Sequence, residues 1–537
     1  MAHFRLLVTD EIDPEGVALL AGEPAFAVDE VPTLPPAELL ARIPEYDAIV
    51  GRSATRISGE LLRAASRLKV VGRAGVGIDN VAVDIATELG IAVINAPAGN
   101  TVAVAELVFG VLIGLLRHIP RATTGMHEGK WERSQLMGHE LKGRTIGIVG
   151  VGRIGSEVAL RAHAFGMKVV GYDPYIPQER FQALRVHRLD TLDDLLAASH
   201  VVTLHVPLTD ETRHLIGRRE LARMTPGSVL LNYARGGVVD EPALVDALQR
   251  NHLRGAALDA FPVEPLKGEH ALRGVPNLLL TPHLGASTYE AQRNVAVDVC
   301  AAVRDALLRH DLSRSLNVAT VHGVGWAEVQ PHLFIARRAA AVARALLADR
   351  GVTAVARLTV RCGPALSGAS EALLAAAASG VLEGTLDTGR VNLINARAIA
   401  EARGMTIASA ESETLGHPSA IEVALGGGMT ELAVAGVAPE GMSPRLTRLG
   451  AFGVDVSPRG TLLILTNADV PGVIGRVGTL LGTAGINIAE YHQARLAQGG
   501  EALAAVSVDG DVPAEVRQQL LALPDVRSAT VVRFGAA

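Results

Sequence analysis

Over residues 4–280, short apolar runs alternate with stretches whose apolar residues recur at helical spacing. The runs FRLLVT (4–9), YDAIV (46–50), LKVVG (68–72) and IAVIN (91–95) predict strands. Asp13, Pro14 and Glu15 predict a helix start, running through Leu20. Thr145–Val149 is apolar and β-branched, as a buried strand should be. Ser156–Phe165 then carries helical spacing, and Met167–Tyr172 predicts the next strand. Further runs occupy His200–Leu204 and parts of LNYARGGVVDE, GAALDAF and NLLLTPHLGAST. Strands alternating with helices predict parallel α/β sheets, whose ligands gather at the strand C-terminal ends. A helix over Glu290–Leu308 should carry the chain back to the first sheet, which makes the first domain discontinuous.

The pattern changes after residue 315. Gln330–Leu347 is an alanine-rich helix, Ala354–Cys362 alternates like a half-buried strand, and Ala372–Leu382 is apolar and helical. Ile421–Leu425 and Met429–Val434 read as strands around Gly426–Gly428. This predicts an α+β domain without a catalytic cluster. Arg445 and Arg448 within it could bind an anion or stand as solvated surface arginines. Residues 460–534 read as βαββαβ: strands at Leu462–Thr466, near Ile488, at Ala502–Val508 and at Thr530–Phe534, with helices after Gly472 and from Pro513. The expected domains are 1–99 with 284–315, 100–283, 316–455 and 460–534.

Composition narrows the class. The 537-residue chain is too long for one core, 49% hydrophobic and 20% charged, with a formal net charge of −6 and interspersed signs. Nothing resembles a nucleic-acid footprint. Cys300 and Cys362 have no metal-ligand spacing and read as free thiols of a reducing compartment, and the N-terminus has no signal-peptide pattern, so a cytoplasmic protein is expected. Thr101–Leu116 is the one stretch that could be taken for a membrane span. It is short, contains Glu106 and runs into Arg117, so a buried or subunit-interface helix is expected.

The strand at Thr145–Val149 is followed by Gly150, Gly152 and Gly155 in G-x-G-x-x-G spacing, and Asp173 ends the next strand. Gly150 permits the strand-to-helix turn, Gly152 lets backbone approach a pyrophosphate, and Gly155 lets helix pack on strand. Free N–H groups at the helix start suit phosphates, and Asp173 can accept hydrogen bonds from ribose hydroxyls. No base follows Asp173 to meet a 2′-phosphate, so NAD is expected over NADP. Arg52 and Arg73 follow predicted strands, where a planar guanidinium suits carboxylate or phosphate. Gly75 and Gly77 read as a backbone turn facing that cleft.

Arg235, Glu264 and His283 stand at strand ends of the second domain. Oxidising an alcohol by hydride transfer also requires removal of a proton, which an imidazole can take. A carboxylate on its other nitrogen would fix the tautomer, and an arginine would hold a substrate carboxylate. Each residue also has a plain reading: a loop cap, a turn acid between prolines, and a structural loop arginine.

The segments ARGG (234–237), D-x-F-x-x-E-P (259–265) and PHLGAST (282–288), with VGRAGVGIDNV, GKWERSQLMG and GVGRIG, resemble the signatures of the D-isomer-specific 2-hydroxyacid dehydrogenases. The likeness covers roughly residues 4–315 and narrows to the branch that oxidises D-3-phosphoglycerate to 3-phosphohydroxypyruvate, in its long form with an intervening domain. It implies that Arg235 orients substrate, Glu264 is the partner acid and His283 exchanges the proton. It further implies NAD contacts at Val76, Arg153, Ile154, Asp173, Val206, Tyr233, Ala234, Arg235, Asp259 and His283, Leu284, Gly285 and Ala286. Val76 and Tyr233 differ from the side chains often found there, so their contacts are expected through backbone. Arg52, Ser53, Arg73 and Arg133 would meet the substrate carboxylate and phosphate. D-x-P-G at 469–472 and G-I-N-I at 485–488 resemble an ACT-type sensor, which implies an amino-acid effector, L-serine, at Asn467, Asp469 and Asn487 between paired domains. The same acid and amides could simply shape turns. A homo-oligomer, dimer or tetramer, is expected, with 2-oxoglutarate reduction as a side activity. The competing readings are a glyoxylate or hydroxypyruvate reductase, or an NAD-gated corepressor or sensor without turnover.

Overall fold

The computed structural model describes residues 3–384 and 390–534. Its fold is two parallel, Rossmann-like sheets followed by a mixed and an antiparallel sheet. The first sheet orders its strands Phe26–Glu30, Phe4–Val8, Ala48–Gly51, Val70–Arg73, Ala92–Asn95, all parallel. Its runs at Ala48–Gly51 and at the edge strand Ala92–Asn95 are buried on both faces, which explains why they lack polar alternation. One face is covered by the helices Pro14–Ala21 and Tyr289–Arg309, whose Val295, Val299 and Val303 pack on Leu6, Val8, Val50 and Val70. The two helices approach closely at Gly16, where a methyl group would lie 2.6 Å from the Ala296 carbonyl carbon. The late helix therefore does return to the first sheet. The edge strand Phe26–Glu30 has no counterpart in the sequence reading, because FAVDE carries too weak an apolar run.

The second sheet has seven parallel strands, ordered Leu278–Leu280, Gly255–Leu258, Val229–Asn232, Val201–Leu204, Thr145–Val149, Lys168–Tyr172, His187–Arg188. Thr145–Val149 lies between Val201–Leu204 and Lys168–Tyr172, so the order in which strands are added reverses at it. That reversal opens a crevice at the strand C-terminal ends. Helix Thr101–Leu116 buries Val104, Val108, Leu112 and Leu115 against this sheet and leaves Val102 and Glu106 exposed. It is not the only apolar helical stretch long enough to draw notice. Pro364–Leu382 passes a length and hydropathy test for a span, yet 72% of it is buried inside the fold, so it is a core element.

The third sheet runs Thr406–Glu411, Arg357–Cys362, Ala420–Gly427, Thr430–Val437, Arg445–Leu449, Phe452–Val456, with only the first pair parallel. Helices Trp326–Asp349 and Ser370–Leu382 pack on it. The last sheet, Ile488–Arg495, Glu501–Val508, Thr461–Ala468, Val526–Arg533, is antiparallel throughout, in chain order βαββαβ. One apolar cluster is continuous between these two sheets, joining Leu462, Ile464 and Leu503 to Val360, Val434 and Ala340. Arg445 and Arg448 are both engaged in ion pairs rather than free for an anion. Arg445 pairs with Asp455 at 2.5 Å and Glu490 at 2.8 Å, and Arg448 pairs with the buried Glu422. Arg445 thus ties the third sheet to the fourth.

Candidate active site

The glycine loop is built as its spacing requires. A methyl group on Gly150 would lie 2.6 Å from the His205 carbonyl oxygen, and one on Gly155 would lie 2.2 Å from the Gly150 carbonyl oxygen. Both contacts are with backbone, which cannot yield. Gly152 faces open space, with nothing within 4 Å of such a methyl. The helix begins at Arg153, three residues earlier than the apolar spacing predicts, with Gly152 at its N-cap and no side chain capping it. Its first N–H groups are therefore offered to the crevice. Asp173 accepts hydrogen bonds from the Val151 N–H at 2.9 Å and the Tyr175 N–H at 3.0 Å, which fix its carboxylate beside the loop. Val206 abuts Gly150 from the neighbouring strand end. Open space over Gly152, a free helix start and a fixed carboxylate fit a dinucleotide.

Three loops at the C-terminal ends of this sheet carry Arg235, Glu264 and His283. Nδ1 of His283 lies 2.7 Å from Oε2 of Glu264, whose other oxygen accepts the Phe261 N–H at 2.9 Å. The Glu264 bond holds the His283 imidazole above its ordinary value, against the opposing effect of burial. Burial pushes the Glu264 carboxyl up, but the bonds from His283 and Phe261 outweigh it and hold it below the usual range. Arg235 acts in the field of both groups. Gly236 is packed so tightly on the Phe261–Pro262 backbone that a methyl would lie 1.9 Å from a carbonyl carbon. That contact seats the Arg235 loop against the Glu264 loop. Asn232, which sequence reasoning did not single out, shapes the same loop by donating to the Arg235 carbonyl at 2.9 Å and accepting the Ala234 N–H at 3.2 Å.

Asp259 stands behind His283. It is 3% exposed and accepts the Thr281 hydroxyl at 2.6 Å, the Leu284 N–H at 2.7 Å and the Gly285 N–H at 2.8 Å. Its carboxylate thereby sets the His283–Ala286 loop. Tyr233 turns its ring into the apolar cluster with Val104 and Val108, and burial pushes its phenol up to about 12. Ala234 beside it is buried too. His205, beside Val206, is held neutral by burial, which pushes it down to about 3.

Across the crevice, the first sheet contributes Arg52 and Arg73. Burial brings the Arg73 guanidinium down to about 10, and the nearby charges of Arg235 and Arg52 push the same way against Asp79 and Asp10. The two glycines of the 75–77 turn do more than bend the chain. A methyl on Gly75 would strike Nη1 of Arg73 at 1.3 Å, and one on Gly77 would strike Nη2 of Arg235 at 2.3 Å. Each glycine clears room for a guanidinium. Asp10, also missed from sequence, is buried and accepts the Arg52 N–H at 2.7 Å, the Thr55 N–H at 2.9 Å, the Thr55 hydroxyl at 2.6 Å and the Thr33 hydroxyl at 2.7 Å. Asn80 donates to the Arg52 and Thr55 carbonyls at 2.8 and 2.6 Å, and Asn95 donates to the Val76 carbonyl at 2.6 Å. The sequence offers little signal for them: Asp10 directly follows a predicted strand, Asn95 ends one, and Asn80 lies in the loop beyond another. Ser53 is exposed on the same loop. Arg133 is exposed on the turn Arg133–Gln135, and among the described residues no hydrogen bond or ion pair joins it to this group.

In the last module, Asn467 donates to the Ala468 carbonyl at 2.7 Å and is 1% exposed. Asp469 accepts the Gly499 N–H at 2.9 Å and Arg495 at 3.3 Å, and Asn487 donates to Asp509 at 2.7 Å. These bonds lie within the module.

Two family models match the chain: the NAD binding domain of the D-isomer specific 2-hydroxyacid dehydrogenases over residues 109–285, and the ACT domain over residues 461–525. Among characterised relatives, D-3-phosphoglycerate dehydrogenase of Synechocystis is 39% identical over 99% of this chain and 95% of its own length. The D-3-phosphoglycerate dehydrogenase of Methanocaldococcus jannaschii is 35% identical over 99% of this chain and 100% of its own. Among solved structures, the TT0316 protein of Thermus thermophilus is 35% identical with a TM-score of 0.54, covering 58% of this chain and 99% of that one. The glycine loop therefore belongs to an NAD-binding domain, in an oxidoreductase that also carries an ACT domain. The chain belongs to the D-3-phosphoglycerate dehydrogenase family, within the D-isomer-specific 2-hydroxyacid dehydrogenases.

Proposed function

We propose that this chain oxidises the C2 hydroxyl of D-3-phosphoglycerate to give 3-phosphohydroxypyruvate. The observation that carries the reading is the 2.7 Å His283–Glu264 pair within the field of Arg235, at the ends of the strands that bear the dinucleotide loop. NAD, when bound, supplies the acceptor for the hydride that leaves C2. With Nδ1 engaged by Glu264, His283 has Nε2 left to take the hydroxyl proton. Glu264 stabilises the imidazolium that results. Arg235 holds the substrate carboxylate beside C2. Arg52 and Arg73 add the positive charge that an anion with both carboxylate and phosphate requires. Reduction of 2-oxoglutarate is a side activity of the same pocket, a second carboxylate replacing the phosphate.

Two finer readings go with this one. Trp131 and Met137 are 79% and 80% exposed on the arm that also carries Arg133, and Val102, Ile119 and Met126 are exposed nearby in sequence. We infer that a second copy of this chain covers these side chains, forming a dimer or a tetramer built from dimers. The C-terminal module takes L-serine at Asn467, Asp469 and Asn487, whose acid and amide groups suit an α-amino group and a hydroxyl. The test is NADH formation from D-3-phosphoglycerate at alkaline pH with product trapped, with and without L-serine. Turnover suppressed by serine supports substrate and effector together. Turnover indifferent to serine withdraws the effector, and activity on glyoxylate or hydroxypyruvate alone withdraws the substrate.

A further inference from the structure

The Arg235 guanidinium is held on two edges by groups from different sheets. Its Nη1 donates to the Ala234 carbonyl at 2.9 Å, within its own loop. Its Nε donates to Oδ2 of Asp79 at 3.2 Å, across the cleft and 156 positions away in the chain. Nη2 lies over Gly77, where only a missing side chain leaves room, and no hydrogen bond among the described residues uses it. We propose that Asp79 is a positioning residue for Arg235, fixing the guanidinium so that Nη2 is the edge left for the substrate.

Asp79 is suited to this by how its loop is held. The turn before it is pinned by the Ala96 N–H on the Gly75 carbonyl at 3.0 Å and by Asn95 on the Val76 carbonyl. The residue after it, Asn80, is bonded to the Arg52 loop through two carbonyls. Asp79 therefore presents its carboxylate from a segment braced on both sides. The charge distribution supports the same role. Arg52, Arg73 and Arg235 repel one another, and the two acids that act on Arg73 are Asp79 and Asp10. Asp10 is buried behind the Arg52 loop with its oxygens engaged there. Of these two acids Asp79 is thus the one in the cleft itself, with its side chain 70% exposed against 28% for Arg235. An ion pair exposed to that degree adds little to folding stability. Its consequence falls on the direction of a guanidinium that carries more rotamers than the reaction can use.

The inference rests on the substrate reading above, and the experiment separates the two. Wild-type enzyme is assayed first with D-3-phosphoglycerate; absence of NADH overturns the substrate reading, and the comparison is then made with hydroxypyruvate reduction, where Arg235 holds the same carboxylate. Against whichever turnover is found, D79N is expected to lower kcat about tenfold, because a misdirected guanidinium costs alignment. KM should stay level or fall, since a negative charge leaves an anion site, and inhibition by inorganic phosphate should tighten. The thermal midpoint and NAD binding should match wild type, and D79E should recover part of the lost kcat. A D79N kcat within twofold of wild type overturns the proposal. A lowered thermal midpoint or weakened NAD binding alongside the lost kcat also overturns it, by showing a structural role instead.

Discussion

In the cleft, side chains from two sheets are set against one another: His283, Glu264 and Arg235 face Arg52, Arg73 and Asp79. In the C-terminal module, Asn467, Asp469 and Asn487 bond to residues of their own module. The residue types are comparable, but the remaining capacity differs. The cleft gathers repelling guanidiniums on loops braced from behind by Asp10, Asn80 and Asn232, so an arriving anion relieves a strain already built in. In the module Asp469, Asn487 and the Asn467 amide N–H already have partners, while the buried Asn467 Oδ1 has none among the described residues, so an effector there largely exchanges one set of hydrogen bonds for another, with a small net gain. A prebuilt site and a site completed by its ligand should respond differently to the same kind of substitution.

The largest effect is expected at His283. Replacing it by alanine removes the proton acceptor, and kcat should fall by about 10²–10⁴ while NAD binding, measured by fluorescence titration, persists. Near-normal turnover would remove His283 from the mechanism. Gly155→Ala should follow: its methyl meets backbone at 2.2 Å, so helix and loop must separate. A stability loss of about 1–3 kcal/mol is expected, read by thermal denaturation, with weakened NAD binding.

Glu264→Gln tests the electrostatics more finely. Glu264 holds the His283 imidazole above the ordinary value of about 6.5, and oxidation needs that imidazole neutral. The kcat/KM profile should therefore rise with pH through the raised value, and in E264Q its midpoint should move down. An unmoved midpoint would mean that another group titrates. The same pair affects stability with defined signs. The contribution of His283 is full below about 6.5 and disappears as pH rises through its folded-state value. The contribution of Glu264 is present above about 4.3 and disappears as pH falls through its lowered value. Both side chains are more than one-third exposed, so the effect on stability should be slight. The smallest change is expected in the module: Asp469→Ala should abolish serine binding in calorimetry while leaving basal turnover intact. Serine binding retained by D469A would dissociate the effector from that turn.

The sheets were legible where burial on both faces imposes uninterrupted apolar runs, as at Ala48–Gly51 and Thr145–Val149. Two edge strands were not, although the edge strand Ala92–Asn95 was. Phe26–Glu30 and Thr406–Glu411 are only partly buried and carry polar residues among their apolar ones, so no apolar run marks them. The candidate site divides in a similar way. His283, Glu264 and Arg235 stood out by type and strand-end position. Asp10 and Asn80 looked like ordinary loop residues, and Arg445 and Arg448 looked available to solvent, because their partners lie at positions that spacing along the chain does not predict.

By itself the sequence determined what short-range sterics and burial dictate: where strands run, which glycines a strand-to-helix turn demands, and which side chains reach the strand ends. Tertiary structure alone decided which charges meet. Gly77 clears space for a guanidinium from the other sheet, and Asp79 orients that guanidinium from 156 positions away. The physical reason is that backbone conformation is a local property, whereas electrostatic energy depends on distance in space. Folding brings together groups whose separation along the chain says nothing of how close they will stand.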